Sequence, residues 1–400
     1  MESTDLIEVR RLVEQVLQIE RVTVGAAKDS FIVRYYGSLV MESGTAYDQL
    51  ASGLKRYQLT PVFRNDGGQV LLIIVDELPK PKASRPLINI VLFVATLLSM
   101  ILAGVLYSID EAAMTAAGND FFRASLFVFP EALAFAVSLL AILATHEFGH
   151  YLMARRHGTA VSLPYFLPFP GSPFGTLGAF IQLKEPPKNK RILLDIGLAG
   201  PIAGMVVAIP VLIIGLSLSE VSVLPTAAVE GMTFSLEGNS ILYLILKYLV
   251  KGEWLPQPVN YGGVAPWLYW GKFILFGRPL PLGGLDVLLH PVAWAGWAGF
   301  LVTGLNLIPV GQLDGGHVLY GLFGERTSRI WPVAVGLMVA MGFVWSGWWL
   351  WAGLLFIFGR GHAEPLDGIT ELDRNRRIWG WIGLLLFILV FIPVPLQIIQ

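Results

Sequence analysis

The sequence predicts an α-helical polytopic membrane protein of about six to seven transmembrane helices, with a re-entrant hairpin or loop near its centre and a small soluble α+β module in front. Three observations carry this. Of the 400 residues 54% are hydrophobic and only 14% charged, whereas in soluble chains about a quarter are charged. Several uncharged apolar runs approach the roughly 20 residues that a helix needs to cross a bilayer. Between those runs, basic and acidic stretches alternate as loops on the two sides of a membrane do.

Composition also excludes. A net charge of −1 and the lack of a basic stripe interleaved with aromatics give no footprint for nucleic acid. There is no cysteine, so a metal must be held by His, Asp or Glu. The chain starts on polar residues without the basic start and apolar core of a signal peptide. The N-terminus is therefore expected in the cytoplasm, with a bacterial cell membrane as the first expectation and an organellar one as the alternative.

Residues 1–84 read as the soluble module and 85–400 as the membrane domain, with its core at 132–325. In the module, Leu6, Val9, Leu12, Val16 and Leu17 recur at helical spacing, predicting a helix from Asp5 to Ile19. Phe31–Tyr36 alternates like a strand, Thr45–Tyr57 is helical, and Asn65-Asp66-Gly67-Gly68 marks a hairpin between Thr60–Arg64 and Gln69–Val75. The module reads equally as a folding or anchoring appendage and as a substrate filter or regulator. Pro79-Lys80-Pro81-Lys82 is a linker on a cytoplasmic flank.

Leu87–Tyr107 is the first predicted span. Asp110, Glu111, Asp120 and Glu131 place the next loop outside, so a second helix from about Ala132 to Arg156 runs inward. Leu163–Leu183 is rich in proline and glycine, which rules out a straight span. Irregular backbone at membrane depth is tolerated only against protein or a watered cavity, so a re-entrant hairpin or loop is expected. A third helix covers Ile192–Leu218, with Gly197, Gly200, Pro201 and Gly204 suited to close helix packing. Glu220, Glu230 and Glu237 hold the following region outside. Ile241–Val250 and Trp267–Phe276 predict two short helices. A fourth segment from Val292 runs inward and is interrupted by Pro309 and Gly311. Ile330–Phe358 splits into two helices at Ser346-Gly347, Arg360, Arg374, Arg376 and Arg377 mark a cytoplasmic loop, and a last helix covers Ile378–Ile399.

Inside the second apolar run lies His146-Glu147-Phe148-Gly149-His150. Residues four apart share a helix face, so His146 and His150 can aim ring nitrogens at one ion while Glu147 reaches water beside it. Zinc accepts such ligands tetrahedrally and, at a catalytic site, leaves a position for water whose pKa it lowers. Polar groups at this depth are costly, which argues for a role. A hydrolytic zinc commonly takes three protein ligands. The topology brings one acid to the same depth, Asp314, beyond the break at Pro309. His317 is its rival, its other role being to hold the turn. His157 sits too far along the helix, and His290 and His362 read as surface polar residues.

HEFGH in one helix, followed in another by Asn306-Leu307-Ile308-Pro309-Val310-Gly311-Gln312-Leu313-Asp314-Gly315, resembles the site-2 protease family of intramembrane zinc metalloproteases. Gly175-Thr176-Leu177-Gly178-Ala179, Gly197-Leu198-Ala199-Gly200-Pro201 and the lack of an evident PDZ insertion resemble its cyanobacterial and plastid branch. The resemblance implies that His146, His150 and Asp314 bind Zn2+ and that Glu147 is the general base and later proton donor. It implies that Asn306 lies near substrate, its alternative being a cap on a broken helix. It also implies that the stretch around Gly175 and Gly178 is a membrane-embedded strand that pairs with an unwound substrate. Membrane-spanning protein substrates, the lipid bilayer as setting and no nucleic acid follow as partners; the oligomeric state is open. The other reading is a metal-binding transporter, or a protease-derived protein without turnover; a tethered soluble-type zincin conflicts with the motif lying inside the apolar run.

Overall fold

The computed structural model describes residues 3–26, 28–79, 85–226, 234–359 and 364–399. The linker lysines and proline at 80–82, Glu230, Arg360 and His362 lie outside them. The N-terminal module comprises α1 (Ser3–Glu14), β1 (Leu17–Val24), β2 (Val33–Leu39), α2 (Ser43–Leu54), β3 (Leu59–Asp66) and β4 (Gln69–Asp76). Its sheet is antiparallel in the order β1-β2-β4-β3. Val9, Val13, Leu50 and Leu54 of the helices cover Tyr35, Phe63, Leu72 and Ile74 of the sheet. The predicted first helix ends too late. It stops at Glu14, and Leu17–Val24 is a strand, because Ile19, Val22, Thr23 and Val24 are β-branched and suit a pleated, half-buried surface.

The module is completed from far along the chain. The Phe63 N–H donates to the Leu366 carbonyl at 2.9 Å, and the Gly368 N–H to the Phe63 carbonyl at 3.0 Å. The same strap faces the other way to residues 187–188: the Leu366 N–H donates to Pro187 at 3.0 Å and the Asp367 N–H to Lys188 at 2.7 Å. Leu366 and Ile369 join the module's core. The expected boundary at residue 84 therefore omits residues that the sheet edge recruits, since an unpaired edge strand presents free N–H and C=O groups. Asp367 is fully buried and accepts hydrogen bonds from the Ile369 and Thr370 N–H groups and the Thr370 hydroxyl.

In the membrane domain follow α3 (Pro86–Ser108), α4 (Glu111–Ala116), α5 (Phe121–Arg156), β5 (Tyr165–Pro168), β6 (Thr176–Phe180) and α6 (Lys190–Leu218). Of the described helices α3, α5 and α6 are long and apolar enough to cross a membrane. The chain is thus a mostly helical multi-pass membrane protein. Helix α5 starts earlier than Ala132, with the Asp120 side chain capping its first turn. Charged Arg123 and Glu131 close the apolar window that predicted the boundary, but they are compatible with a helix that continues out of the bilayer.

Next come β7 (Glu220–Val223), β8 (Phe234–Glu237), α7 (Ile241–Lys251), α8 (Pro266–Phe276), β9 (Leu285–Leu288), α9 (Pro291–Asn306), α10 (Asp314–Phe323), α11 (Trp331–Met341), α12 (Gly347–Phe358), α13 (Arg374–Val390) and β10 (Leu396–Ile399). Strand β7 pairs with β9, and β8 with β10. The last predicted helix is too long: α13 ends at Val390, because Pro393 and Pro395 lack the N–H that a helix interior needs, and the tail becomes β10. The core of the domain is the contact of α5, α6 and α9, where Leu139, Ile142, Met205, Leu212, Trp297 and Phe300 pack together.

Beyond the C-terminal end of α6, fully buried Lys247 lies 3.5 Å from Glu237 and 3.4 Å from Asp286. The Tyr243 hydroxyl donates to Glu237 at 2.9 Å. One cation between two carboxylates leaves an excess acid. Burial, then the Asp286 charge, push the Glu237 carboxyl up to about 7 against the opposing pull of Lys247.

Two predictions follow from these contacts. Asp367→Ala strands three donors and should lower the stability of the module by about 1–3 kcal/mol, read as earlier protease cleavage within residues 364–373 and a lower Tm. A carboxyl raised by folding stabilises most below its unfolded value of 4.5 and loses that contribution as pH rises through about 7. Thermal unfolding of the wild type should therefore fall in Tm over that window, and Glu237→Gln should flatten the fall.

Candidate metal centre

His146 and His150 stand one turn apart on α5, 3% and 5% exposed. Asp314, the first residue of α10, meets them from across the fold. Helix α9 ends at Asn306, Pro309 prevents its continuation, and Gly315 lies tight against the Leu307 carbonyl, so the turn aims the Asp314 carboxylate back at α5. Asp314 Oδ2 is 3.2 Å from His146 Nε2 and 3.2 Å from His150 Nε2, and the two nitrogens are 3.2 Å apart. Ligands about 2.05 Å from a zinc at tetrahedral angles lie about 3.3 Å from one another. The triangle therefore has the dimensions, and the N, N, O donor set, of a three-ligand zinc site. Among the described residues these three form the metal-ligating group.

The histidines are set by α6. His150 Nδ1–H donates to the Ile196 carbonyl at 2.7 Å, which leaves Nε2 with its lone pair toward Asp314. A Cβ on Gly200 would fall on the His150 ring, and one on Gly204 would come within 3.2 Å of the His146 ring. Glycine at 200 is thus a condition for the imidazole to occupy its place. His317 packs its Cβ where a Gly197 Cβ would be 2.8 Å away and lines the cavity without joining the triangle. His157 is bonded to Asp195 at 2.9 Å, and His290 caps α9 through Nδ1.

Glu147 opens onto the same cavity of about 190 Å³, whose walls include Ala179, Phe180 and Ile181 of the hairpin, Asn306 and Gln312. Asn306 Nδ2 is 3.4 Å from His146 Nε2. The antiparallel β5–β6 hairpin pairs Tyr165 with Phe180 and Phe166 with Ala179. Gly175, at φ 72°, is pressed against α3, where the Ser99 hydroxyl donates to its carbonyl at 2.6 Å. Gly178, at φ 103°, is buried, and its N–H donates to the Thr176 hydroxyl at 2.9 Å. The structure therefore brings neither glycine to the histidines; the hairpin residues beside Glu147 are 179–181.

Sequence reasoning missed Asn89, whose buried amide donates to Leu163 at 3.1 Å and Pro164 at 2.8 Å and ties the start of the hairpin to α3. An amide in an otherwise apolar span is costly and was the available signal. It also missed the Ile196 carbonyl, for which a backbone acceptor leaves no sequence signal.

This geometry is that of a site able to hold one divalent metal ion between α5 and α10. The profile of Peptidase family M50, the family of the site-2 proteases, matches residues 134–346, which include every residue of the triangle. The chain belongs to this family. It is 30% identical over 268 residues to the probable zinc metalloprotease EGY1, chloroplastic, of Arabidopsis thaliana, covering 66% of this chain and 43% of that protein. To the probable zinc metalloprotease EGY2, chloroplastic, of Oryza sativa subsp. indica it is 31% identical over 262 residues, 65% of this chain and 42% of the relative. A probable zinc metallopeptidase EGY3, chloroplastic, of Arabidopsis thaliana is 29% identical over 266 residues, 63% and 41% of the two chains. The chain thus spans about two-fifths of the length of the curated relatives it matches. No solved structure matches it significantly.

Gly200→Ala should displace His150 and weaken zinc binding about 10–100-fold, as loss of a ligand's support does elsewhere. Competition with a chromogenic chelator measures this, and Gly353→Ala, whose added methyl on α12 meets nothing, should leave zinc affinity unchanged.

Proposed function

We propose that this chain is an intramembrane zinc endopeptidase that hydrolyses a peptide bond within or near a transmembrane helix of another membrane protein. The observation that carries the reading is the His146–His150–Asp314 triangle of 3.2 Å sides, with Glu147 in the same cavity, on a helix long and apolar enough to cross the bilayer. His146, His150 and Asp314 would hold the zinc, which when bound supplies Lewis acidity toward water and toward the scissile carbonyl. Glu147 takes the proton of the attacking water and later delivers it to the leaving amine. Asp314 and Glu147 together balance the charge of a divalent cation in a poorly solvated cavity. Asn306, with its amide beside His146, orients substrate or the developing oxyanion rather than serving only to end α9.

The β5–β6 hairpin serves as a re-entrant element at membrane depth. Its strand β6 leads into residues 179–181 at the cavity, and an extended substrate segment added there would expose a peptide bond that helical structure shields. In this topology α3, α5, α6, α9, the α11–α12 pair and α13 make up the six to seven crossing segments, and the basic end of α5 lies on the cytoplasmic side together with the N-terminal module.

Glu147→Gln should retain zinc and lose cleavage by about 10²–10⁴-fold. Zinc stoichiometry and turnover of a single-span reporter in liposomes measure the two, and full turnover would remove Glu147 as the base. Asp314→Ala should lose zinc and His317→Ala should keep it; the reverse pattern would reassign the third ligand.

A further inference from the structure

An apolar recess lies between α5 and α6, on the side of α5 that carries Gly149, Leu152 and Arg156. It has a volume of about 490 Å³ and is lined by Gly149, Leu152, Met153 and Arg156 of α5, by the 195–203 face of α6, and by Trp379 of α13. The lining positions recur at helical spacing along both helices, so the recess is a groove running with their axes for about 12 Å, the rise of eight residues. Its floor is low because Gly149, Ala199 and Ala203 carry little or no side chain, and its rims are Leu152, 63% exposed, and Trp379, 50% exposed.

The groove is polarised. Its interior is aliphatic, and its mouth, at the end of α5 that ends in Arg155-Arg156, is charged. The one acid there, Asp195, is already engaged: Arg376 donates to it through Nε at 2.9 Å and Nη2 at 2.7 Å, and His157 lies 2.9 Å away. Arg156 is exposed and has no ion pair among the described residues, and Arg155 stands over the Tyr151 ring without a carboxylate. A cation left unneutralised at the mouth of an apolar slot, at the level where a spanning helix leaves the bilayer, complements one class of molecule: a chain of methylenes with an anionic head.

We infer that this groove between α5 and α6 is a binding site for one acyl chain of an anionic phospholipid, with the lipid phosphate at Arg156. The site shares its floor with the support of the metal centre. Gly149 and Ala199 touch across it, while the next residues, His150 and Gly200, touch on the other side of the same helix contact. A lipid seated there covers the seam on which the placement of His150 depends.

The test uses the full chain in a neutral detergent, titrated with phosphatidylglycerol or phosphatidylcholine and read by native mass spectrometry, with bound zinc as the control for an intact core. Phosphatidylglycerol should bind at least about fivefold more tightly, the effect of one arginine near an anionic surface. Arg156→Gln should remove that preference and leave residual chain binding. Ala203→Leu, which fills the floor, should remove binding of both lipids, and Trp379→Ala, which opens a rim without touching the α5–α6 seam, should weaken it. A phosphatidylglycerol carrying a photoreactive acyl chain should crosslink to Leu152 or Ile202. Equal affinity for the two lipids, a preference that survives Arg156→Gln, or crosslinks confined to α3 and the hairpin would overturn the inference. None of these readouts depends on proteolysis, so the outcome is independent of the proposed enzyme activity.

Discussion

The rest of the structure depends on one close contact, that of α5 with α6 at His150. The imidazole fits because residue 200 has no side chain, and it is turned to the correct tautomer because the Ile196 carbonyl accepts its Nδ1–H at 2.7 Å. A backbone carbonyl one turn from a glycine thus performs the task that carboxylates perform around many zinc ligands. The contact also sets how near α9 and α10 approach, because Gly197 of the same helix face receives His317, three residues beyond Asp314. Moving α6 outward by the width of a methyl group would shift the seats of His150 and His317.

Beside this contact, two buried polar side chains hold irregular backbone. Asn89 and Ser99 of α3 bond the two ends of the hairpin, through Pro164 and Gly175. These bonds tie a proline- and glycine-rich segment to α3 beside the cavity. Past the hairpin, residues 187–188 pair with the strap that completes the edge of the N-terminal sheet. The N-terminal module is therefore joined by backbone hydrogen bonds to the exit of the segment that borders the histidine cavity. Beyond the C-terminal end of α6, the buried Lys247, Glu237 and Asp286 join α7, β8 and β9.

The errors of sequence reasoning share a physical cause. Leu17–Val24 continued a helical spacing for a few residues before its β-branched alternation set in, and only pairing with β2 decides between them. The last apolar run looked long enough to be helical to Ile399, yet its prolines end α13 and the remainder finds a partner in β8, more than 150 residues earlier. The family resemblance puts Gly175 and Gly178 beside substrate; in the fold Gly175 is pressed to α3 and Gly178 bonds to Thr176, while 179–181 line the cavity. Lys247 falls within the predicted helix Ile241–Val250, and its burial depends on two acids from other elements.

What the sequence by itself determined is local or compositional: the apolar spans, the hairpin turn at Asn65–Gly68, the break at Pro309 and the i, i+4 pair of histidines on one helix face. Each follows from backbone periodicity or from a residue's own conformational limits, and needs no knowledge of neighbours. The tertiary structure alone decided that Asp314 closes a triangle with that pair, that Ile196 orients His150, and that the strap at 366–368 belongs to the N-terminal sheet. It also decided that a groove floored by Gly149, Ala199 and Ala203 lies between α5 and α6. These are matters of distance between segments remote in sequence, where a backbone carbonyl or a missing Cβ acts as strongly as any side chain and leaves no distinctive residue to read.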